Sequence, residues 1–212
     1  MHPKTTPPSA SRRGNGLSDR SDHLKINLGC GPDVRDGYVN VDARPFPGVE
    51  CQDLSTIPWK WDDSVAEEIM MLDFLEHFSY RKTDSILQEC WRVLKPGGKL
   101  VVQVPDFEEC AKAVLIVTPF DCNNCEKVIL QPALACPHCG HTHSASTDAA
   151  LNRLYGGQDY DGNWHHTAFT KSRMRRYLQK NGFENFQELE LVHQRVNWNF
   201  KMSAMKGEQR WD

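Results

Sequence analysis

The segment Leu24-Lys25-Ile26-Asn27-Leu28 alternates apolar with polar residues and runs straight into Gly29-Cys30-Gly31-Pro32. A period of two marks a half-buried strand, and paired glycines followed by proline force a turn at its end. Of all the features in the chain, this one limits the fold most. A glycine turn at the carboxyl end of a strand lets the backbone approach a ligand closely, because no side chain intervenes.

The following segments repeat the theme. Tyr38 to Val41 reads as a second strand ending at Asp42, and Val49 to Gln52 as a short third one closed by Asp53. Glu68 to Leu72 is more apolar, as expected of a strand covered on both faces. From Tyr80 to Leu94, the residues Ile86, Leu87, Cys90, Trp91 and Leu94 recur at spacings of three and four. That spacing predicts a helix with one apolar face, Ser79 as its N-cap and Pro96-Gly97-Gly98 as its terminator. Leu100 to Val104 is a strand stopped by Pro105. Strand–helix–strand order at these distances predicts an α/β fold with a parallel sheet.

The remainder reads less regularly. Phe107 to Val117 is predicted helical, as is Ser172 to Asn181, closed by Gly182. Two last strands, Gln187–Val192 and Trp198–Met205, are close enough for an antiparallel hairpin at a sheet edge. Gly29 through Gly37 supply only nine residues between the first two strands. A parallel crossover usually needs roughly 10–12. The first connection is therefore expected to be one helical turn or a loop.

Composition excludes several classes. Lys+Arg 25 against Asp+Glu 28 gives a net charge of −3, so a strongly basic nucleic-acid-coating protein is excluded. Hydrophobic residues at 39% suffice for a packed core, and no apolar run approaches the ~20 residues of a membrane span. Residues 1–22 are polar, with Pro7, Pro8, Gly14 and Gly16, and predict a disordered tail. The first sixteen residues hold no apolar stretch for secretion, which makes the cytoplasm the expected location.

Eight cysteines are present, four of them as Cys122-x-x-Cys125 and Cys136-x-x-Cys139 with ten residues between the pairs. Two knuckles of two thiolates match a zinc-ribbon layout, and four thiolates complete the tetrahedron of a structural Zn²⁺. Gly140 permits the tight turn after the last cysteine. His138, His141 and His143 are alternative ligands, read mainly as exposed loop residues. The expected domain plan is residues 23–212 as one unit with 119–145 as a ribbon insertion. With Lys127 and few other cations there, nucleic acid is not favoured as a partner.

The glycine turn does not suit a nicotinamide dinucleotide. Val34 stands where that fingerprint has a third glycine, and Asp42 comes sooner than its ribose-binding acid, about 20 residues on. A nucleoside cofactor without a pyrophosphate fits better.

In this order, Leu28-Gly29-Cys30-Gly31, Asn40-Val41-Asp42, Asp53-Leu54, Leu75-Glu76-His77-Phe78, Arg92-Val93-Leu94-Lys95-Pro96-Gly97-Gly98 and Val104-Pro105-Asp106 resemble a class I S-adenosylmethionine-dependent methyltransferase. The resemblance is to the small branch with LGCG and RVLKPGG motifs and covers residues 24–108 best. It implies a Rossmann-like sheet, mostly parallel with an antiparallel C-terminal hairpin, and S-adenosyl-L-methionine as cofactor. It places Leu28, Gly29, Cys30 and Gly31 under the methionine moiety and Asp42 with Ala43 at the ribose. It puts Asp53 and Leu54 at the adenine and Asp73 at the methionine end, with Leu72 and His77 also near the cofactor; His77 opens a helix there, and capping or packing is its main reading. Many relatives carry an acidic residue where this chain has Asn27.

Methyl transfer to oxygen or nitrogen calls for a base, and Asp106, Tyr160, His165 and His166 are the candidate catalytic residues. The last three fall in Tyr155–His166, whose glycines, aromatics and polar groups suit a binding loop. A small molecule or glycan component is the expected acceptor. A different reading is a catalytically weak cofactor-binding fold whose ribbon docks a protein or nucleic-acid partner. A nucleic-acid methyltransferase lacks support, since neither an Asn-Pro-Pro-Tyr nor a catalytic Pro-Cys motif occurs.

Overall fold

The computed structural model describes residues 23–115, 120–122, 124–129, 136–141, 146–191 and 198–208. The predicted tail (1–22), parts of the ribbon including His143, and the ends of two predicted elements (116–117 and 192) lie outside them.

A seven-stranded sheet runs in the order β3-β2-β1-β4-β5-β9-β8. Its members are β1 (Leu24–Leu28), β2 (Val39–Asp42), β3 (Glu50–Cys51), β4 (Ala66–Leu72), β5 (Leu94–Pro105), β8 (Phe183–Leu189) and β9 (Asn199–Lys206). The first five pair in parallel, and β9 pairs antiparallel with both β5 and β8. The strand order reverses between β1 and β4, and a crevice opens there at the carboxyl ends of the strands.

Apolar burial holds the sheet. Ile26, Leu28, Val41, Ile69, Met71, Leu100 and Val102 are fully or almost fully buried. Helix α1 (Thr83–Val93) covers one face with Ile86, Leu87, Cys90 and Val93, and α4 (Lys171–Lys180) adds Met174 and Leu178. The Thr170 hydroxyl accepts the Arg173 N–H at 3.1 Å to cap α4, and Gly182 follows it at φ +82°. Glu89 is buried in α1 yet well bonded: it accepts from the Trp59 N–H at 2.7 Å and from the Arg92 guanidinium.

Three expectations are corrected. Ser79 does not cap α1: Lys82 N–H bonds to Ser79 O in a separate turn, and the helix opens at Thr83 with no side-chain cap. Pro96-Gly97-Gly98 does not end α1 either. Leu94 already pairs with Ala66, and residues 95–98 loop out of β5, because Glu68 next pairs with Lys99. Gly97, at φ +70°, makes that excursion possible. Strand β8 starts at Phe183, four residues ahead of the predicted Gln187.

The β1–β2 connection takes the loop option. Two buried amides brace it: Asn27 Nδ2 donates to Asp33 O and to Asn40 Oδ1, both at 3.0 Å, while Asn40 also bonds the Arg35 backbone. These bonds replace a helix as the scaffold of the connection, and give Asn27 its task.

Past β5, α2 (Phe107–Leu115) packs against α3 (Ser146–Tyr155), a helix that the sequence reading did not anticipate. Between them in the chain lie the cysteine pairs and a two-stranded ribbon, β6 (Phe120–Asp121) with β7 (Val128–Ile129). Among the described residues, no helix is long and apolar enough to cross a membrane.

Candidate active site and metal knot

The crevice at the strand reversal is a cleft of about 260 Å³, with Gly29, Asp42, Ala43, Asp53, Leu54 and Asp73 among its walls. The glycine turn is built as its sequence requires. Gly29 and Gly31 lie at φ +63° and +52°, and a Cβ on Gly29 would stand 2.1 Å from the Phe74 ring. Asp42 terminates β2 and uses one lone pair per oxygen internally. Oδ2 accepts the Gly31 N–H at 2.8 Å, and Oδ1 accepts the Arg44 N–H at 2.9 Å. The Ser55 hydroxyl and the Ser55 N–H at 2.8 Å, with the Thr56 hydroxyl at 3.1 Å, bond Asp53 and hold its carboxyl below the usual range. Both aspartates therefore do the turn-forming work their positions suggest, and both also face the cleft.

Asp73 follows β4 at φ +50° and accepts from Asn199 Nδ2 at 2.7 Å and Gln103 Nε2 at 3.1 Å. Burial pushes its pKa up all the same. Gly29 and Asp73 divide the cleft from a second hollow, which Cys30, Gly31 and Leu72 line together with Arg35 and Lys201. Leu28 is wholly buried and lines neither.

The loop after α3 forms the other wall. Its Tyr160 covers Arg44, with the guanidinium carbon 4.2 Å from the ring centroid. The loop is docked on a 3₁₀ turn, Leu75–His77: His166 N–H donates to Glu76 O at 2.8 Å, and the Thr167 hydroxyl to Phe78 O at 2.8 Å. His77 bonds back through Nδ1 to Gly162 O and Trp164 O.

The catalytic candidates separate. Tyr160 lines the cleft, and His165 packs edge-on against His77 with ring centroids 4.8 Å apart. Burial lowers His165 to about 4 and also lowers His77, so both imidazoles are neutral near pH 7. His166 is exposed. Asp106 lines a different hollow beside Glu109 and Lys171, and its carboxylate accepts the Glu108 N–H at the start of α2.

Residues 29–102 match the family model described as a methyltransferase domain. No curated protein sequence matches the chain. Among solved structures, a SAM-dependent methyltransferase from Archaeoglobus fulgidus aligns at TM-score 0.52 and 10% identity, over 88% of this chain and 87% of that one. The 1,6-didemethyltoxoflavin-N1-methyltransferase of Burkholderia thailandensis, with bound 1,6-didemethyltoxoflavin and S-adenosylhomocysteine, aligns at 0.50 and 14%, over 87% and 71%. The CurJ carbon methyltransferase aligns at 0.52 and 11%; 91% of this chain spans only half of that one. The fold is that of the class I methyltransferases.

Onto this methyltransferase fold the cysteines graft a compact knot. Cys122, Cys125, Cys136 and Cys139 are free thiols whose sulfurs lie within 4.8 Å of one another. Cys122–Cys139 and Cys125–Cys136 are each separated by 3.7 Å. A Zn²⁺ tetrahedron with bonds near 2.3 Å sets its sulfurs ~3.8 Å apart, so the donor set fits that ion in both chemistry and spacing. The two knuckles repeat each other bond for bond. Asn124 N–H donates to Cys122 Sγ as His138 N–H does to Cys136 Sγ, both at 3.4 Å. Glu126 and Gly140 close the two turns at φ +57° and +68°. His138 and His141 are exposed.

Three residues at the site went unread in the sequence: Arg44 at the cleft, Glu76 buried in the 3₁₀ turn beside it, and Arg153 on α3, whose carbonyl holds His165 Nδ1 at 2.8 Å. For Glu76 a signal existed, since it sits within the quoted Leu-Glu-His-Phe motif. For Arg44 and Arg153, nothing local pointed to the cleft.

Proposed function

We propose that this chain is an S-adenosylmethionine-dependent methyltransferase for a small-molecule or glycan acceptor, with a structural zinc ion in the cysteine knot. One observation carries the reading: Gly29, Asp42 and Asp53 share a cleft at the strand reversal, inside the stretch that matches a methyltransferase domain. The S-adenosylhomocysteine bound in the Burkholderia neighbour supports the class of cofactor.

When bound, the cofactor supplies a methyl group on a positively charged sulfur. The chain's own residues supply grip and enclosure. Asp42, whose two oxygens each accept one backbone N–H and whose Oδ1 also faces the Arg44 guanidinium at 3.5 Å, retains acceptor capacity that suits the adjacent hydroxyls of a ribose. Asp53, restrained by Ser55 and Thr56, can accept from an exocyclic amine. Gly29 and Gly31 bring bare backbone to the sulfur end, where Asp73 offers negative charge. Tyr160 on Arg44 covers the mouth, which favours an in-line approach and excludes water. Of the four candidate bases, Tyr160 lines the cleft, and His165 packs against His77, which also lines it; these two are the favoured bases of this reading.

Zinc in the knot would have all four positions filled by thiolate, leaving none for water, and so acts on structure. Thiolate ligands persist in a reducing compartment, which supports the cytoplasm as location. Calorimetry with S-adenosylmethionine tests the central claim. The wild type binds, and Asp42→Ala binds roughly 10–100-fold more weakly, the worth of charge-assisted hydrogen bonds. A wild type that takes up neither S-adenosylmethionine nor S-adenosylhomocysteine overturns it.

A further inference from the structure

Glu76 is anomalous. It is 1% exposed, and neither carboxylate oxygen has a hydrogen-bond partner. The other deeply buried glutamate, Glu89, is tied to Trp59 and Arg92, as burial of a carboxylate ordinarily demands. A buried carboxylate with two bare oxygens is half of a site.

The other half lies beside it. One carboxylate oxygen of Glu76 and one ring nitrogen each of His77 and His165 all fall within 4.8 Å of one another. Each imidazole is held through Nδ1. His77 Nδ1 meets Gly162 O at 3.1 Å and Trp164 O at 3.2 Å, and His165 Nδ1 meets Arg153 O at 2.8 Å. A carbonyl only accepts, so Nδ1 carries the proton in both rings, and Nε2 keeps the lone pair. A backbone carbonyl that fixes the tautomer from behind is the support metal-ligating histidines generally have.

We propose that Glu76, His77 and His165 bind a divalent transition-metal ion, at a site separate from the cysteine knot. Two neutral imidazoles and one carboxylate are the donor set that zinc, iron(II), manganese(II) and cobalt(II) accept with coordination positions left open. Bonds near 2.1 Å would place the three donors roughly 3–3.5 Å apart, so closure needs shifts on the order of 1 Å. Glu76 and His77 are neighbours in the 3₁₀ turn, and the loop of residues 162–167 brings His165 to them from a distant part of the chain. Because His77 also lines the cofactor cleft, a further ligand on the ion would lie at the edge of that cleft. The proposal goes beyond the methyltransferase reading and does not depend on it.

Cobalt(II) titration of the full chain, with zinc already in the knot and no methyl donor present, tests it. The wild type is expected to take up one further ion, with weak d–d absorption and no thiolate charge-transfer band. Glu76→Gln and His165→Asn should each weaken that uptake by more than the ~10–100-fold lost with an outer-shell partner. Equal uptake by wild type and variants, or none by the wild type, overturns the site. Should a variant fail to fold, wild-type crystals soaked in cobalt decide alone. An anomalous peak among the three side chains supports the site, and an empty position there refutes it. Loss of cofactor binding would leave either result unchanged.

Discussion

The sheet and the cysteine knot are held together by opposite means. Around the sheet, a continuous cluster of more than a score of buried side chains runs from Ile26 to Ala204 and joins the strands to α1 and α4. In the knot, the described buried cluster is Cys122, Ile129 and Cys136, with Cys125 packed against it. At ~25 cal/mol per Å² of apolar area, three small side chains contribute far too little to offset the ordering of two knuckles. The same chain thus holds one region that water exclusion folds and one that needs a bond of another kind. The four inward sulfurs indicate which kind.

The sharpest way to break this contrast is to remove the zinc proposed for the knot. Chelation or Cys136→Ser should unfold the knot, since structural zinc supplies an apparent ~10–16 kcal/mol, and leave the thermal transition of the sheet in place. Metal analysis alongside hydrogen exchange checks both halves. A sheet that melts together with the knot would show that the two are one cooperative unit. Next in size is Leu87→Ala, fully buried in α1. It should cost about 2–5 kcal/mol in urea unfolding, with zinc content unchanged.

Gly29→Ala probes where the sheet meets the cleft. The added methyl collides with Phe74 in a left-handed backbone, for roughly 2–4 kcal/mol. Calorimetry should also show that cofactor binding is lost. Smallest is Asp84→Asn, which loosens α1 from α4. Burial pushes Asp84 up, but hydrogen bonds from Lys180 and Asn181 with the Lys180 charge outweigh it and hold the carboxyl below its usual range. A depressed carboxylate stabilises the fold above its unfolded-state pKa and loses that contribution as pH falls through the folded value. The variant should therefore be less stable by under ~1 kcal/mol at pH 7, with the difference vanishing in acid. A difference that persists there would assign the effect to packing instead of charge.

Much of the architecture was legible because its causes are local. Alternation marked β1, an apolar run stopped by Pro105 marked β5, three-and-four spacing marked α1, and two i,i+3 cysteine pairs marked the knot. The misplaced boundaries have non-local causes. α1 stops at Val93 because Leu94 finds Ala66 across the sheet, and Pro96-Gly97-Gly98 is absorbed as an excursion within β5. Helix α3 was missed between knot and loop, although Ala150, Leu151 and Leu154 carry a helical spacing. Asn27, noted as a departure from relatives, acquires its meaning only from Asn40 and the loop these two amides hold.

The sequence by itself determined the order of elements from β1 to α2, the bare backbone at the glycine turn, the carboxylates at strand ends and the paired thiols. Each of these follows from the stereochemistry of neighbouring residues. Tertiary structure alone decided which side chains share a cavity. It set Asp106 apart from the cleft, turned His166 outward, and brought His165 to His77 and an unbonded Glu76. Gly162 and His77 meet across 85 positions of chain. No local pattern encodes that contact, because the free energy that sets it belongs to the packed loop as a whole.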